Sequence, residues 1–264
     1  MTFDVDAPMG RREALRRIAL GAAGPGLLGC KTSHAEPPAG ETGHLTARPG
    51  TPTQTAAAGL TALGLGPARG ETRDGVLHVP ASYRADVAAP LVVLFHGAGG
   101  SADRVLPLLR AQADARGLVL LVPDSRRQSW DIRYGPFDWD AAFLDLALAW
   151  TFDRVRVDPA RVFAAGFSDG ASYALSLGIT NGDLFGGLVA FSPGFLVPAT
   201  RRGKPACFVS HGTSDPVLPI ERTSRVIVPR LRGDGYDVTY REFAGGHTVP
   251  PEVAAEAVDW LGAG

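Results

Sequence analysis

With 264 residues, 45% of them hydrophobic, the chain can bury one sizeable core, and a single domain of this length is ordinary. A formal net charge of -1 excludes both the basic footprint of a nucleic-acid binder and an acidic tail seeking a cationic partner, which leaves a small or neutral ligand. The two cysteines, Cys30 and Cys207, fall in no C-x-x-C spacing and H-E-x-x-H is absent, so metal chemistry is excluded at the level of motif.

The amino terminus reads as an address. Arg11-Arg12 and Arg16-Arg17 precede an apolar run over 18–28, too short to span a bilayer but suited to a signal-peptide core. The run ends Leu27-Leu28-Gly29-Cys30, which resembles the lipobox of bacterial lipoproteins and implies acylation at Cys30, export and a membrane anchor. The paired arginines loosely resemble a twin-arginine export signal. Acylation would occupy Cys30 and leave Cys207 single, so no disulfide is expected. Residues 31–73, rich in Ala, Gly, Pro and Thr without a sustained apolar period, are expected to be a flexible tether, with room for a short helical turn over 56–60. His34 and His44 are expected there as solvated spacers.

From Val76 onward strand-like and helix-like runs alternate, which predicts an α/β domain over 74–264: a largely parallel sheet with helices on both faces. Strands are expected at 75–79, 91–95, 118–122, 161–165, 187–191, 206–210 and 238–243, five of them apolar enough to be buried on both faces. Helices are expected at 101–116, from a cap at Asp138 to about 152, over 171–177, at 221–232 and at 250–261.

Gly166-Phe167-Ser168-Asp169-Gly170 fits G-x-S-x-G where the strand at 161–165 turns into a helix, which makes Ser168 a candidate nucleophile. Glycines two residues either side of Ser168 let strand and helix approach closely. A hydroxyl nucleophile needs a base, and the base needs an acid to fix its tautomer. Asp215, in His211-Gly212-Thr213-Ser214-Asp215, follows one strand; His247, in Gly245-Gly246-His247, follows the last. Asp124 competes for the acid, and His96 and His211 for the base; the chain order Ser, Asp, His favours Asp215 and His247. An oxyanion needs two preorganised N–H donors. Asp169, just after the serine, supplies one, and the loop His96-Gly97-Ala98-Gly99-Gly100 supplies the other at Ala98. Trp130, Tyr134, Phe137 and Trp139 cluster in the connection after Asp124. They either line an acyl or aromatic pocket, with Trp130 and Trp139 as substrate-binding candidates, or anchor an ordered loop. Residues 192–195 are a further candidate for the rim, and Arg201, Arg202 and Lys204 read as a solvated loop.

On these motifs, the chain from about Ala89 onward resembles the α/β-hydrolase superfamily, and within it the phospholipase/carboxylesterase group that includes acyl-protein thioesterases and polyhydroxybutyrate-depolymerase-like esterases. The resemblance also takes in Pro216-Val217-Leu218-Pro219 after Asp215, and Val249-Pro250-Pro251-Glu252 after His247. It implies hydrolysis of small-molecule carboxylic esters or thioesters without metal or organic cofactor. Family roles fall on Ser168 as nucleophile, Asp215 as acid, His247 as base, and the Ala98 and Asp169 backbones as oxyanion donors. Asp169 departs from the Gln usual in acyl-protein thioesterases, which implies poorer acceptance of anionic substrates. The expected protein is a lipid-anchored serine esterase, with a thioesterase, a peptidase or a tethered binding protein of the same fold as alternatives.

Overall fold

The computed structural model describes residues 42–262 apart from 69 and 71, so the expected signal segment, Cys30 and His34 lie outside the described residues. The centre is an eight-stranded sheet in the order β1-β2-β4-β3-β5-β6-β7-β8. In chain order the strands are β1 (Gly59–Ala62), β2 (Gly75–Val79), β3 (Ala89–Phe95), β4 (Val119–Pro123), β5 (Val157–Phe167), β6 (Gly187–Phe191), β7 (Ala206–Gly212) and β8 (Val238–Phe243). β2 runs antiparallel to both β1 and β4, and the remaining pairings are parallel. Parallel pairing needs crossovers, and these place helices on both faces. β3 shows why its sequence is apolar throughout: Leu91, Val93 and Phe95 enter one core while Val92 and Leu94 enter the other.

After the single turn α1 (Leu65–Ala68), the run expected as one helix at 101–116 divides into α2 (Ala102–Val105) and α3 (Pro107–Arg116). Pro107 has no N–H to continue the ladder and therefore starts a new helix. α4 (Trp139–Phe152) begins where expected, but the Asp138 side chain caps no amide among the described residues. Asp131 does that work instead: its Oδ2 accepts the amides of Asp138 at 2.7 Å and Asp140 at 3.1 Å. α5 (Asp169–Thr180) is buried along its whole length, α6 (Ser224–Gly233) follows a 3-10 turn at Ile220–Arg222, and α7 (Pro251–Gly262) closes the domain.

The tether expectation fails from residue 42 onward. Leu45 is fully buried, its N–H donates to Asn181 Oδ1 at 2.8 Å, and Asn181 Nδ2 returns a bond to the Gly43 carbonyl at 2.8 Å. Thr46 and Ala47 donate their amides to Asp145 on α4, and Thr53 and Gln54 theirs to the Asp153 carbonyl at its end. Polar side chains on two helices hold this segment, so it carries no apolar period to read. The turn expected at 56–60 is instead the start of edge strand β1, paired with β2 from Gly59 opposite Val79 to Ala62 opposite Val76. His44 is no solvated spacer either: Asn181 Oδ1 lies 3.3 Å from its Nδ1, and Arg202 Nη1 lies 3.1 Å from the same atom. Nor is the basic loop free, since Arg201 pairs with Asp234 at 2.9 Å and Lys204 donates to the Asp234 carbonyl.

Candidate active site

β5 delivers Ser168 to the carboxyl edge of the sheet and α5 carries the chain away. Ser168 has φ 58 and ψ −121, a conformation that side-chain-bearing residues rarely adopt. The turn is tight enough that a Cβ on Gly166 would meet the Gly170 carbonyl, and one on Gly170 would meet the carbonyls of Phe95 and His96. The Ser168 N–H donates to the Phe191 carbonyl at 2.9 Å, tying the elbow to β6.

Three predicted residues meet there. Ser168 Oγ lies 2.9 Å from His247 Nε2, and His247 Nδ1 lies 2.6 Å from Asp215 Oδ2. Asp215 is buried, and its Oδ1 accepts the amides of Val217 and Leu218, each at 2.8 Å. Burial alone would raise its carboxyl pKa, but the Leu218 amide, His247 and the Val217 amide outweigh that and hold it below the usual range. An ionised Asp215 fixes the proton on His247 Nδ1 and leaves Nε2 free to accept from Ser168. The Phe167 ring packs on the His247 ring with centroids 4.7 Å apart.

The competing residues have other partners. Asp124 accepts the Ala102 amide at 2.6 Å, at the start of α2. His211 is fully buried; its Nε2 donates to the Leu218 carbonyl at 2.8 Å and its Nδ1 takes the Ser224 hydroxyl at 2.7 Å. Burial lowers its pKa, which keeps it neutral beneath Asp215, 3.2 Å from Oδ2. His96 is likewise buried with a lowered pKa; its Nδ1 donates to the Gly97 carbonyl at 2.7 Å and its Nε2 accepts the Ser125 amide at 3.0 Å.

The oxyanion-loop candidates sit against the elbow: an ideal Cβ on Gly97 would lie 3.3 Å from Ser168 Cβ, a contact only glycine avoids. Neither the Ala98 nor the Asp169 amide has an acceptor among the described residues. Of the two tryptophans, Trp130 takes the anchor alternative and not the substrate-binding one. It is 2% exposed, stacks on Tyr173 with centroids 4.6 Å apart, and donates Nε1–H to the His96 carbonyl at 2.8 Å. Trp139 is 45% exposed with the Arg127 guanidinium 4.1 Å over its ring. Ser192 is buried with φ 53 and is no rim residue.

Comparison with known proteins follows the same lines. A family model described as phospholipase/carboxylesterase matches residues 143–261. Feruloyl esterase C of Emericella nidulans is 28% identical over 157 residues, 56% of this chain and 57% of that protein. Acyl-protein thioesterase 1 of Gibberella zeae is 30% identical over 113 residues, 39% of this chain and 48% of that one. The chain thus spans about half the length of the curated relatives it matches. The crystal structure of esterase PE8 superposes with a TM-score of 0.59 at 24% identity, covering 72% of this chain and 97% of that one.

The chain has the α/β-hydrolase fold.

The stretch matched by the family model contains Ser168, Asp215 and His247, whereas the loop carrying Ala98 lies ahead of it. Sequence reasoning missed three neighbours of the site. Ser129 Oγ donates to Asp169 Oδ2 at 2.7 Å with Arg133 Nε 3.8 Å from the same oxygen, and Arg73 reaches the Gly100 carbonyl from within the segment expected as a tether. A serine or arginine in a long connection carries no pattern that would mark it; only the three-dimensional meeting does.

Proposed function

We propose that the protein is a serine hydrolase that cleaves carboxylic esters through an acyl-enzyme. The observation that carries this reading is the unbroken line Asp215, His247, Ser168, with links of 2.6 and 2.9 Å. His247 Nε2 takes the Ser168 proton as Oγ attacks the ester carbonyl, and the Ala98 and Asp169 amides receive the oxyanion. The imidazolium, stabilised by Asp215, gives that proton to the departing alcohol. Water then enters, loses a proton to the same nitrogen and attacks the acyl-enzyme; return of the proton to Ser168 Oγ releases the acid and completes the exchange of ester and water for acid and alcohol.

The names of the relatives narrow the first substrates to try. Feruloyl and short-chain aryl esters, a thioester and an amide should be offered together, and hydrolysis of the esters is expected to dominate. Ser168→Ala should abolish turnover and labelling by a fluorophosphonate. Turnover persisting in that variant would sink the assignment, and preference for the thioester would shift it toward the acyl-protein thioesterases.

The reading extends to location: the Arg pairs, the short apolar run and Leu27-Leu28-Gly29-Cys30 support export with a lipid on Cys30. A clickable palmitate fed to expressing bacteria should label the wild type and not Cys30→Ser. Equal labelling of both would remove the anchor from the proposal.

A further inference from the structure

The oxyanion loop has an entropic problem. His96-Gly97-Ala98-Gly99-Gly100 contains three glycines, which admit close approach to the nucleophile but also give the free chain wide freedom. An oxyanion donor works only if it is already in place to within about half an ångström. The loop must therefore be clamped on both sides of Ala98.

On the near side, Trp130 Nε1 holds the His96 carbonyl at 2.8 Å. On the far side, the Gly99 amide donates to the Gln128 carbonyl at 2.6 Å, and Arg73 Nη2 donates to the Gly100 carbonyl at 2.8 Å. Arg73 does more than close one bond. Its Nε donates to the Ser125 carbonyl, and Nη2 also lies 3.3 Å from His96 Nε2, the atom that accepts the Ser125 amide at 3.0 Å. One planar fork thus pins the end of the oxyanion loop to the loop that leaves β4. Asp124, 3.8 Å from the guanidinium, faces it with opposite charge. The Arg73 carbonyl is itself held by Arg126 Nη1 at 2.7 Å, so the residue is fixed from behind.

We propose that Arg73, supplied from the segment ahead of β2, is a positioning residue for the oxyanion hole: by bridging the Gly100 and Ser125 carbonyls it holds the Ala98 amide where the transition-state oxyanion forms. The role rests on the serine-hydrolase reading. Lysine cannot replace it, because a single ammonium does not span two carbonyls in a fixed plane. The Ala98 donor engages charge that exists only in the transition state, so loosening it lowers kcat and leaves substrate binding nearly unchanged.

Arg73→Ala and Arg73→Lys should be compared with wild type on p-nitrophenyl butyrate and on phenylboronic acid, whose tetrahedral adduct with Ser168 mimics the oxyanion. The expected result is a kcat lowered about 10- to 100-fold with KM within about twofold, and a boronic-acid affinity weakened by a similar factor. Methylguanidinium added to Arg73→Ala should restore part of the rate. If Arg73→Ala does not fold, Arg73→Lys carries the test, since it keeps the stem and the charge. A kcat within about twofold of wild type in the folded variant, or a rise in KM that accounts for the whole loss, overturns the role. Hydrogen exchange of the peptide containing residues 96–101 provides a readout independent of turnover. It should speed up selectively in the variants; unchanged exchange there overturns the clamp even if the wild type proves inactive on esters. Inactive wild type with faster exchange, by contrast, would remove the hydrolase reading and leave the clamp standing.

Discussion

Ser168, held at φ 58, is cornered: Gly166 and Gly170 press strand and helix together around it, and His247 and Phe191 take its hydroxyl and amide. These constraints leave the side chain one productive direction. Each neighbouring residue then has a separable role. His247→Ala removes the proposed base and should reduce kcat by about 10,000-fold or more. His211 touches Asp215 only from the side, and its own two bonds go to Leu218 and Ser224. His211→Ala should therefore retain much of the activity while lowering the melting temperature; equal loss in both variants on a chromogenic ester would undo the assignment of the base. Asp169 makes a finer case. Its carboxylate accepts from Ser129 and lies 3.8 Å from Arg133 Nε, so a charge of each sign borders the proposed oxyanion hole. Asp169→Asn keeps the backbone donor and the size. It should leave a neutral ester within about threefold and raise kcat/KM for a carboxylate-bearing ester about fivefold, with Arg133→Met moving the anionic substrate the other way. Identical behaviour of the two esters would leave Asp169 with no part in selecting substrate. The meeting of Ser168, Asp215 and His247 was legible in the chain because each follows a strand and has glycine or proline within two residues. Ser129, Arg133 and Arg73 were not, because what they touch is a backbone carbonyl or a carboxylate far away in sequence.

At the scale of elements, legibility follows the kind of contact that holds a segment. Strands such as β6 and β8 were readable to the residue: β6 is an apolar run buried throughout, and β8 sets Val238, Tyr240 and Phe243 among polar residues between turns. The stretch from residue 42 to β1 was not readable, because it is laid over α4 and α5 by Asp145, Asp153 and Asn181 acting on backbone amides and carbonyls. Such bonds ask nothing of the residue that supplies the amide. Its apolar contribution to the core is concentrated in one isolated position, Leu45, at 0% exposure. A segment of this kind belongs to the folded unit and should be needed for it. Leu45→Ala is expected to cost about 2 to 4 kcal/mol in urea unfolding, the price of a cavity at the end of α5. A loss below about 0.5 kcal/mol would return the segment to the status of a tether. Trp130 illustrates the same logic in the long connection before α4. Aromatic clustering announced that the connection was ordered, but only the bond from Nε1 to the His96 carbonyl decides that this ring serves the loop and not a ligand.

For the molecule as a whole, buried titratable groups set two opposing dependences of stability on pH. His96 and His211 have lowered pKa values in the fold, chiefly through burial, so the unfolded chain binds more protons than the folded one below the ordinary histidine value of about 6.5. Their contribution is present above that pH and is lost as pH falls toward their folded values. Asp140 acts in the other direction. It is 2% exposed, and burial first, aided by the charge of Asp131 and opposed by the Arg126 amide, raises its pKa to about 7. Asp131 beside it is also raised by burial, although the amides of Asp138, Asp140, Ala141 and Ile132 oppose the shift. For these carboxyls the folded state holds the extra proton, so their contribution is complete below the unfolded value of about 4 and is lost as pH rises through about 7. The two slopes overlap and partly cancel just below about pH 6.5, and the wild type should show a shallow profile there. Asp140→Asn removes the Asp140 part of the falling component. Asn cannot accept both the Arg126 and Asp131 amides that Asp140 takes at 2.5 and 2.6 Å, so a constant loss is expected at all pH values. On top of that offset, the stability of the variant relative to wild type should climb with pH, by up to about 1.4 kcal/mol per unit between pH 5 and 7 for one linked proton. Urea midpoints at pH 5, 6, 7 and 8 measure it, and parallel curves for the two proteins would mean that Asp140 stays ionised in the fold throughout that range.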